Sequence, residues 1–344
     1  MLHRDPSPFT RDSGASFRPL VLVNLLGLVA LVTGLTYVAA TTDVFSAGAA
    51  LDGVLSQLGT TLGPAVSVGL GTAVDLAAGA VLMRMIRWSP YGSFAEAAIW
   101  GLVGAIAKDT FLLYGLGSVG HFGPLPLALV DIGLLGTGLL LRPFVATPTD
   151  EQGRSSRSWS PAAWSLPLVL WSIPLVLQLA SPVVPFMDVL PDHVAPIEHL
   201  RTYATQPGLG VSPSPVYSPS QVSLGYLGLV GSITTLTGLP AALAVAAFAL
   251  PLSVLLAAAG YHLCRTLAGT SAAYWSLLTV PLTFAFLRLP DARASVLALP
   301  VATAAICLTL PARTDRQGAA QLSGRSRPLL MAAATGATLL VHPI

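Results

Sequence analysis

The sequence predicts an all-α integral membrane protein with about nine transmembrane helices and a cytoplasmic N-terminus. Three observations lead there. Charged residues make up 9% of the 344-residue chain and hydrophobic ones 53%, whereas a soluble domain carries roughly 25% charged residues. Mean hydropathy is +0.73, so the chain lacks the polar residues to cover a water-facing surface. Several apolar runs also reach the ~20 residues that cross the hydrocarbon core. No water is present there to satisfy a free backbone, which makes these spans helices.

The elements follow in order. A polar tail, 1–17, precedes a first run at 18–40, which exceeds the apolar stretch of a cleavable signal and reads as a retained first helix. Further spans are expected at about 64–86, 94–117, 123–146, 162–186, 240–263, 271–288, 293–310 and 328–344. The polar stretch 147–161, TPTDEQGRSSRSWSP, is a linker between a four-helix unit (18–146) and a five-helix unit (162–344). A larger outer loop, 187–221, is rich in Pro and Ser and irregular in its second half. Residues 222–237 are apolar but only about sixteen long, with Gly225, Gly228 and Gly231. This segment is expected as a short interfacial or re-entrant helix on the outer side, with the next span starting at Pro240, a favoured first-turn residue. A second basic linker, Ala312–Pro328, carries four Arg.

Charge in the connections fixes the orientation. With the N-terminus inside, thirteen Arg (4, 11, 18, 84, 87, 142, 154, 157, 265, 313, 316, 325, 327) fall on the cytoplasmic side. Only Arg201, Arg288 and Arg293 fall outside, a strong positive-inside bias. A multi-pass protein of the cell membrane is expected. The net charge of +2 is too small to suggest a nucleic-acid partner. Cys264 and Cys307 sit in or beside apolar runs and read as packing residues.

Five charges fall at or within membrane depth in the first unit: Asp75, Glu96, Lys108, Asp109 and Asp131. Such groups are costly there and mark either function or mutual pairing. Lys108 and Asp109 project about 100° apart on a helix, and Asp75 or Asp131 could pair with Lys108 across the bundle. A structural role and a solute or ion path through Asp75, Lys108 and Asp109 both remain open.

The densest polar chemistry is elsewhere. Within 181–203, SPVVPFMDVLPDHVAPIEHLRTY, the fourteen positions from 188 to 201 hold Asp188, Asp192, His193, Glu198, His199 and Arg201. Asp188 falls just beyond the fifth span, where a carboxylate can stay ionised or be partly desolvated. Asp192 follows at i+4, on the same face if this turn is helical. His193 and His199 can carry protons near neutral pH, and Arg201 can grip a phosphate in bidentate fashion. The spacing matches no standard metal pattern, so neither metal nor cofactor is indicated, although Asp, His and Glu are compatible with a divalent ion. A solvated outer loop would carry the same charges.

The order of features from Ala162 onward resembles the membrane-integral glycosyltransferases of the C-type fold, which use polyprenyl-phosphate sugars. In that superfamily a helix running outward delivers an acidic residue, followed by an outer loop with juxtamembrane helices. YSPSQVSLGYLGLVGSITTLTGLP (217–240) is similar to the glycine-containing run that comes next. AALAVAAFALPLSVLLAAAGYHLCRTLAG (241–269) resembles the family's second helix, ending in a basic residue and Gly. LPDARASVLALPVA (289–302) and LLMAAATGATLLVHPI (329–344) are similar to later segments that start or end outside. The resemblance covers about half of the chain. It implies an outer-face transferase with Asp188 as general base and Asp192 as second choice. Arg201, Arg288 or Arg293 would neutralise the departing phosphate, and Asp291 and His342 would line the cavity; His193 and His199 are further candidates for binding substrate or phosphate.

Two departures accompany it. Members have more helices, while this chain stops at Ile344, in or at the edge of its last span, as a truncated product would. The four-helix unit has no counterpart in the simplest members. The alternatives are a non-catalytic or truncated membrane protein and a transporter using Asp75, Lys108 and Asp109.

Overall fold

The computed structural model describes residues 47–87, 91, 93–140, 194–203, 205–206, 223–268, 273, 276–277, 294–309 and 326–341. Every regular element among them is a helix: α1 (Ala47–Arg87), α2 (Phe94–Ser118), α3 (Pro124–Leu140), α4 (Ala195–Tyr203), α5 (Leu224–Thr237), α6 (Ala241–Ala268), α7 (Ala294–Thr309) and α8 (Ser326–Val341). Three helices are long and apolar enough to cross a membrane: Gly63–Arg87 of α1, all of α2, and α6. Helices α3, α5, α7 and α8 are apolar and shorter. The expected spans at 18–40 and 162–186 lie outside the described residues, as does all of 271–288 except positions 273, 276 and 277.

Exposure follows the membrane reading. Val66, Leu70 and Val74 of α1, Phe111 of α2, and Leu125, Leu129, Ile132, Leu139 and Leu140 of α3 are all exposed. In water such faces would be liabilities; against lipid tails they cost nothing. Prolines 64, 251 and 300 lie inside helices, which membrane helices tolerate because neighbouring helices, Ser/Thr side chains or local adjustments can re-satisfy the freed backbone groups.

Helix α2 is the centre of the bundle: 72% of its span is buried, against 44% for α1 and 50% for α6. Its start is dictated locally. Ser93 caps the helix by accepting from the Glu96 N–H at 3.2 Å, the S-x-x-E pattern of a capping box. The Glu96 carboxylate meets Arg87 Nη1 at 2.5 Å, tying the last residue of α1 to the first turn of α2. The Arg87 guanidinium lies over the Tyr91 ring at 4.9 Å and near that of Trp100 at 6.0 Å. The Tyr91 hydroxyl donates to the Ala80 carbonyl at 2.6 Å. Burial pushes this phenol well above the usual tyrosine range, so it stays a donor throughout the physiological pH range.

The α1–α2 hairpin closes by backbone contact. A Cβ on Gly79 would lie 2.2 Å from the Gly101 carbonyl oxygen, and one on Gly104 would lie 2.1 Å from that of Gly79. Lipid provides no hydrophobic drive between helices, so association relies on small residues that let backbones approach. Gly79, Gly101, Gly104 and Ala105 supply that seam.

Helix α5 appears where a short helix is expected, and it is deeply set. Residues 225–234 are all buried. A Cβ on Gly228 would meet the Thr110 backbone nitrogen of α2 at 3.0 Å, and one on Gly225 would meet Ile106 and Leu340 at similar range. Ser223 caps α5, accepting from the Tyr226 N–H at 3.4 Å, and also donates to the Leu340 and Val341 carbonyls at the end of α8. Gly238 ends α5 in the left-handed region (φ 69°), its N–H bonded to the Thr234 carbonyl at 2.9 Å. Helices from both halves of the chain share one buried core, in which Ile99, Leu102 and Ile106 of α2 join Leu229 and Ile233 of α5, Phe248 and Leu252 of α6, and Leu297 of α7.

Candidate functional site

Two polar constellations are described, one at depth and one at the α5–α6 junction. The deep one follows from the glycine seam. Asp75 lies four residues before Gly79 on α1, and Lys108 lies four residues after Gly104 on α2. On antiparallel helices in backbone contact, equal offsets bring these two side chains to the same level, about one turn from the seam.

Lys108 Nζ accordingly donates to Asp75 Oδ1 and, from α3, to Asp131 Oδ1. It also stands 3.1 Å from Asp109 Oδ1, the next residue on its own helix. All four side chains are buried: Asp75 and Asp109 at 0%, Asp131 at 2% and Lys108 at 7% exposure. The pairing anticipated between Lys108 and Asp75 or Asp131 therefore forms with both. Glu96 is not part of the group, being engaged with Arg87 at the hairpin mouth.

The pairing is incomplete. Asp75 Oδ2 and both Asp109 oxygens are buried without a hydrogen-bond partner. The 3.1 Å ion pair from Lys108 to Asp109 is off-line for a hydrogen bond, so proximity supplies charge but no directed donor. Among the described residues no group of three His, Cys, Asp or Glu side chains is arranged to hold a metal ion.

The second constellation is α4. This short helix buries Pro196, Ile197 and Leu200 and turns Glu198, His199 and Arg201 outward. Leu200 fits against α5 at Gly231, where an added Cβ would sit 2.6 Å from Leu200 Cδ2. Glu198 Oε2 accepts from the Ala241 N–H at 3.4 Å, placing a carboxylate on the free N–H groups at the start of α6. Arg201 Nη2 reaches the Gly238 carbonyl at 3.5 Å and Nη1 lies 3.7 Å from Glu198. The latter pair is exposed and adds little stability. The His199 and Tyr203 rings sit 4.6 Å apart, centroid to centroid. Of the expected site residues, His199 and Arg201 are thus on one helix pinned to the α5–α6 junction. Asp188, Asp192, His193, Arg288, Asp291, Arg293 and His342 lie outside the described residues.

From the sequence Asp131 is only one of two candidate partners for Lys108; in the structure it is one corner of the group around that ammonium. The available signal was the Gly79/Gly104 seam, which sets the register of the hairpin. Comparison with known proteins found no matching family model, curated protein or solved structure.

Proposed function

We propose that this chain is a membrane glycosyltransferase-like protein, moving a sugar from a polyprenyl phosphate to an acceptor at the outer face. The observation that supports this reading is α4. It is an amphipathic helix, set directly after the 188–193 charge cluster and anchored where α5 turns into α6. The resemblance expects a juxtamembrane helix at this point of the chain, after the acidic residue and before the glycine-containing run.

The chemistry assigned is a single displacement. The Asp188 carboxylate takes the proton of the acceptor hydroxyl while that oxygen bonds to the anomeric carbon. The anomeric carbon–oxygen bond to the phosphate breaks, and the electron pair leaves with the polyprenyl phosphate. Arg201 and Arg293 compensate its charge, and His193, His199 and His342 contact the donor head group. Asp192 is the second candidate for the base.

The test is transfer of labelled sugar from polyprenyl phosphate in membranes containing the full chain. Asp188→Asn is expected to lower turnover by about 10²-fold or more while the protein level stays unchanged. Full turnover in that variant sinks the assignment of Asp188, and full turnover in Asp192→Asn as well sinks the enzymatic reading.

A further inference from the structure

The deep cluster carries an inference separate from sugar transfer. Its members come from three helices, and their charges do not balance: three carboxylates face one ammonium. Among the described residues, the other elements packed around them offer no compensation. Helix α5 has no charged residue, nor has α7. On α6 the titratable groups are Tyr261, His262, Cys264 and Arg265 near its end, and on α8 only Arg327 at its start. On the cluster's own helices, Arg84 and Arg87 lie nine or more residues beyond Asp75, over 13 Å along the axis by the ~1.5 Å rise. Glu96 is spent on Arg87.

Hydrogen bonding points to the same deficit. The Lys108 ammonium aims two donors at Asp75 Oδ1 and Asp131 Oδ1. Asp75 Oδ2 and both Asp109 oxygens have no donor. Asp75 Oδ1 and Asp109 Oδ1 nevertheless flank the same Lys108 ammonium, the latter at 3.1 Å, which brings the two carboxyl groups side by side. Two ionised carboxylates are acceptors only and repel. A proton on one converts it into a donor to the other, and it also lowers the buried excess of negative charge. In an apolar surround, a charge or polar group left without compensation is the costlier arrangement.

We infer that Asp75 and Asp109 hold a proton between them, making the α1–α2–α3 core an H⁺-binding site next to the glycine seam. Lys108, which donates to Asp75 and Asp131 alike, and the Asp131 carboxylate stand beside it. The ligand argued for is H⁺, because a proton turns one carboxyl group into the donor that the other lacks.

The test is infrared spectroscopy of the purified full chain in lipid nanodiscs at neutral pH, reading the carboxylic-acid C=O stretch and its shift in D₂O. A protonated-carboxyl band is expected in the wild type, lost in Asp109→Asn and in Asp75→Asn but retained in Asp131→Asn. Its absence from the wild type, or persistence in both of the first two variants, overturns the inference. Loss only in Asp131→Asn overturns it too, by moving the proton to a different carboxyl. A second arm compares thermal unfolding of the wild type in Na⁺ and in choline at equal ionic strength. Equal midpoints are expected; a Na⁺-specific rise that disappears in Asp109→Asn would replace the proton with an alkali cation. Since the wild-type band and the cation comparison need no substitution, the inference stays testable even if a variant fails to fold.

Discussion

Gly104→Val is expected to abolish the native α1–α2 hairpin, and with it the monodisperse folded protein. A single Cβ at this position would stand 2.1 Å from the Gly79 carbonyl oxygen and 2.7 Å from its carbonyl carbon. The obstruction is backbone on a packed helix, so no rotamer change relieves it. Relief means separating the helices by more than an ångström. That opens the seam at Gly101, where the matching contact is with the Leu76 carbonyl, and pulls Asp75 away from Lys108. Overpacking commonly costs about 1–3 kcal/mol; here the loss lies at or above that upper end, because packing and a buried ion pair fail together. Size-exclusion chromatography and thermal midpoints in detergent read the outcome. Gly136→Ala is the control: nothing lies within 4 Å of a Cβ there, so that variant is expected to be neutral or to gain up to ~1 kcal/mol from helix propensity. Equal behaviour of the two variants would show that the seam does not hold the hairpin together.

The same seam explains what could be read from the chain and what could not. The spans at 64–86, 94–117 and 240–263 were legible because length and apolarity suffice to define a membrane helix; they match Gly63–Arg87, Phe94–Ser118 and Ala241–Ala268. The short helix at 222–237 was legible from its length and glycines. Its depth was not: Gly225 and Gly228 allow α5 to press on Ile106 and Thr110 of α2, a contact between segments more than a hundred residues apart with no local signature. The buried charges were visible as isolated costs, and Lys108 already had Asp75 and Asp131 as candidate partners. That all three carboxyls gather on one ammonium depends on the relative register of three helices. Helix periodicity gives the face of each residue but not its height against a neighbour; glycine pairs such as Gly79 and Gly104 are the feature that sets the height. The cluster that stood out most in the sequence, 188–201, is represented in the described structure by α4 alone. There the informative contact is a backbone one, Ala241 N–H to Glu198, which alternation of polar and apolar residues does not reveal.

Lys108→Met tests the other consequence of that register. The substitution keeps length and bulk while removing the only cation within the group. Asp75 Oδ1 and Asp131 Oδ1 then lose their donor, and three buried carboxyl groups face one another across α1, α2 and α3 with nothing positive between them. Breaking a buried pair from one side typically costs about 3–5 kcal/mol, because the remaining charge stays desolvated and uncompensated. Lys108→Met is therefore expected to lower the thermal midpoint sharply and to reduce the amount of folded protein in membranes. The loss should be largely reversible by neutralising the partners: Lys108→Met combined with Asp75→Asn and Asp131→Asn removes charge and counter-charge together. A mutant cycle over Lys108 and Asp131 measures this directly, and neighbours sharing one network are expected to be strongly non-additive. If Lys108→Met is as stable as the wild type, or if the triple variant is no better than the single one, the ammonium is not what holds the three helices at this level. Recovery in the triple variant, with Gly104→Val still unfolded, would separate the two contributions: the glycine seam brings the helices together, and the Lys108 group fixes their register once they meet.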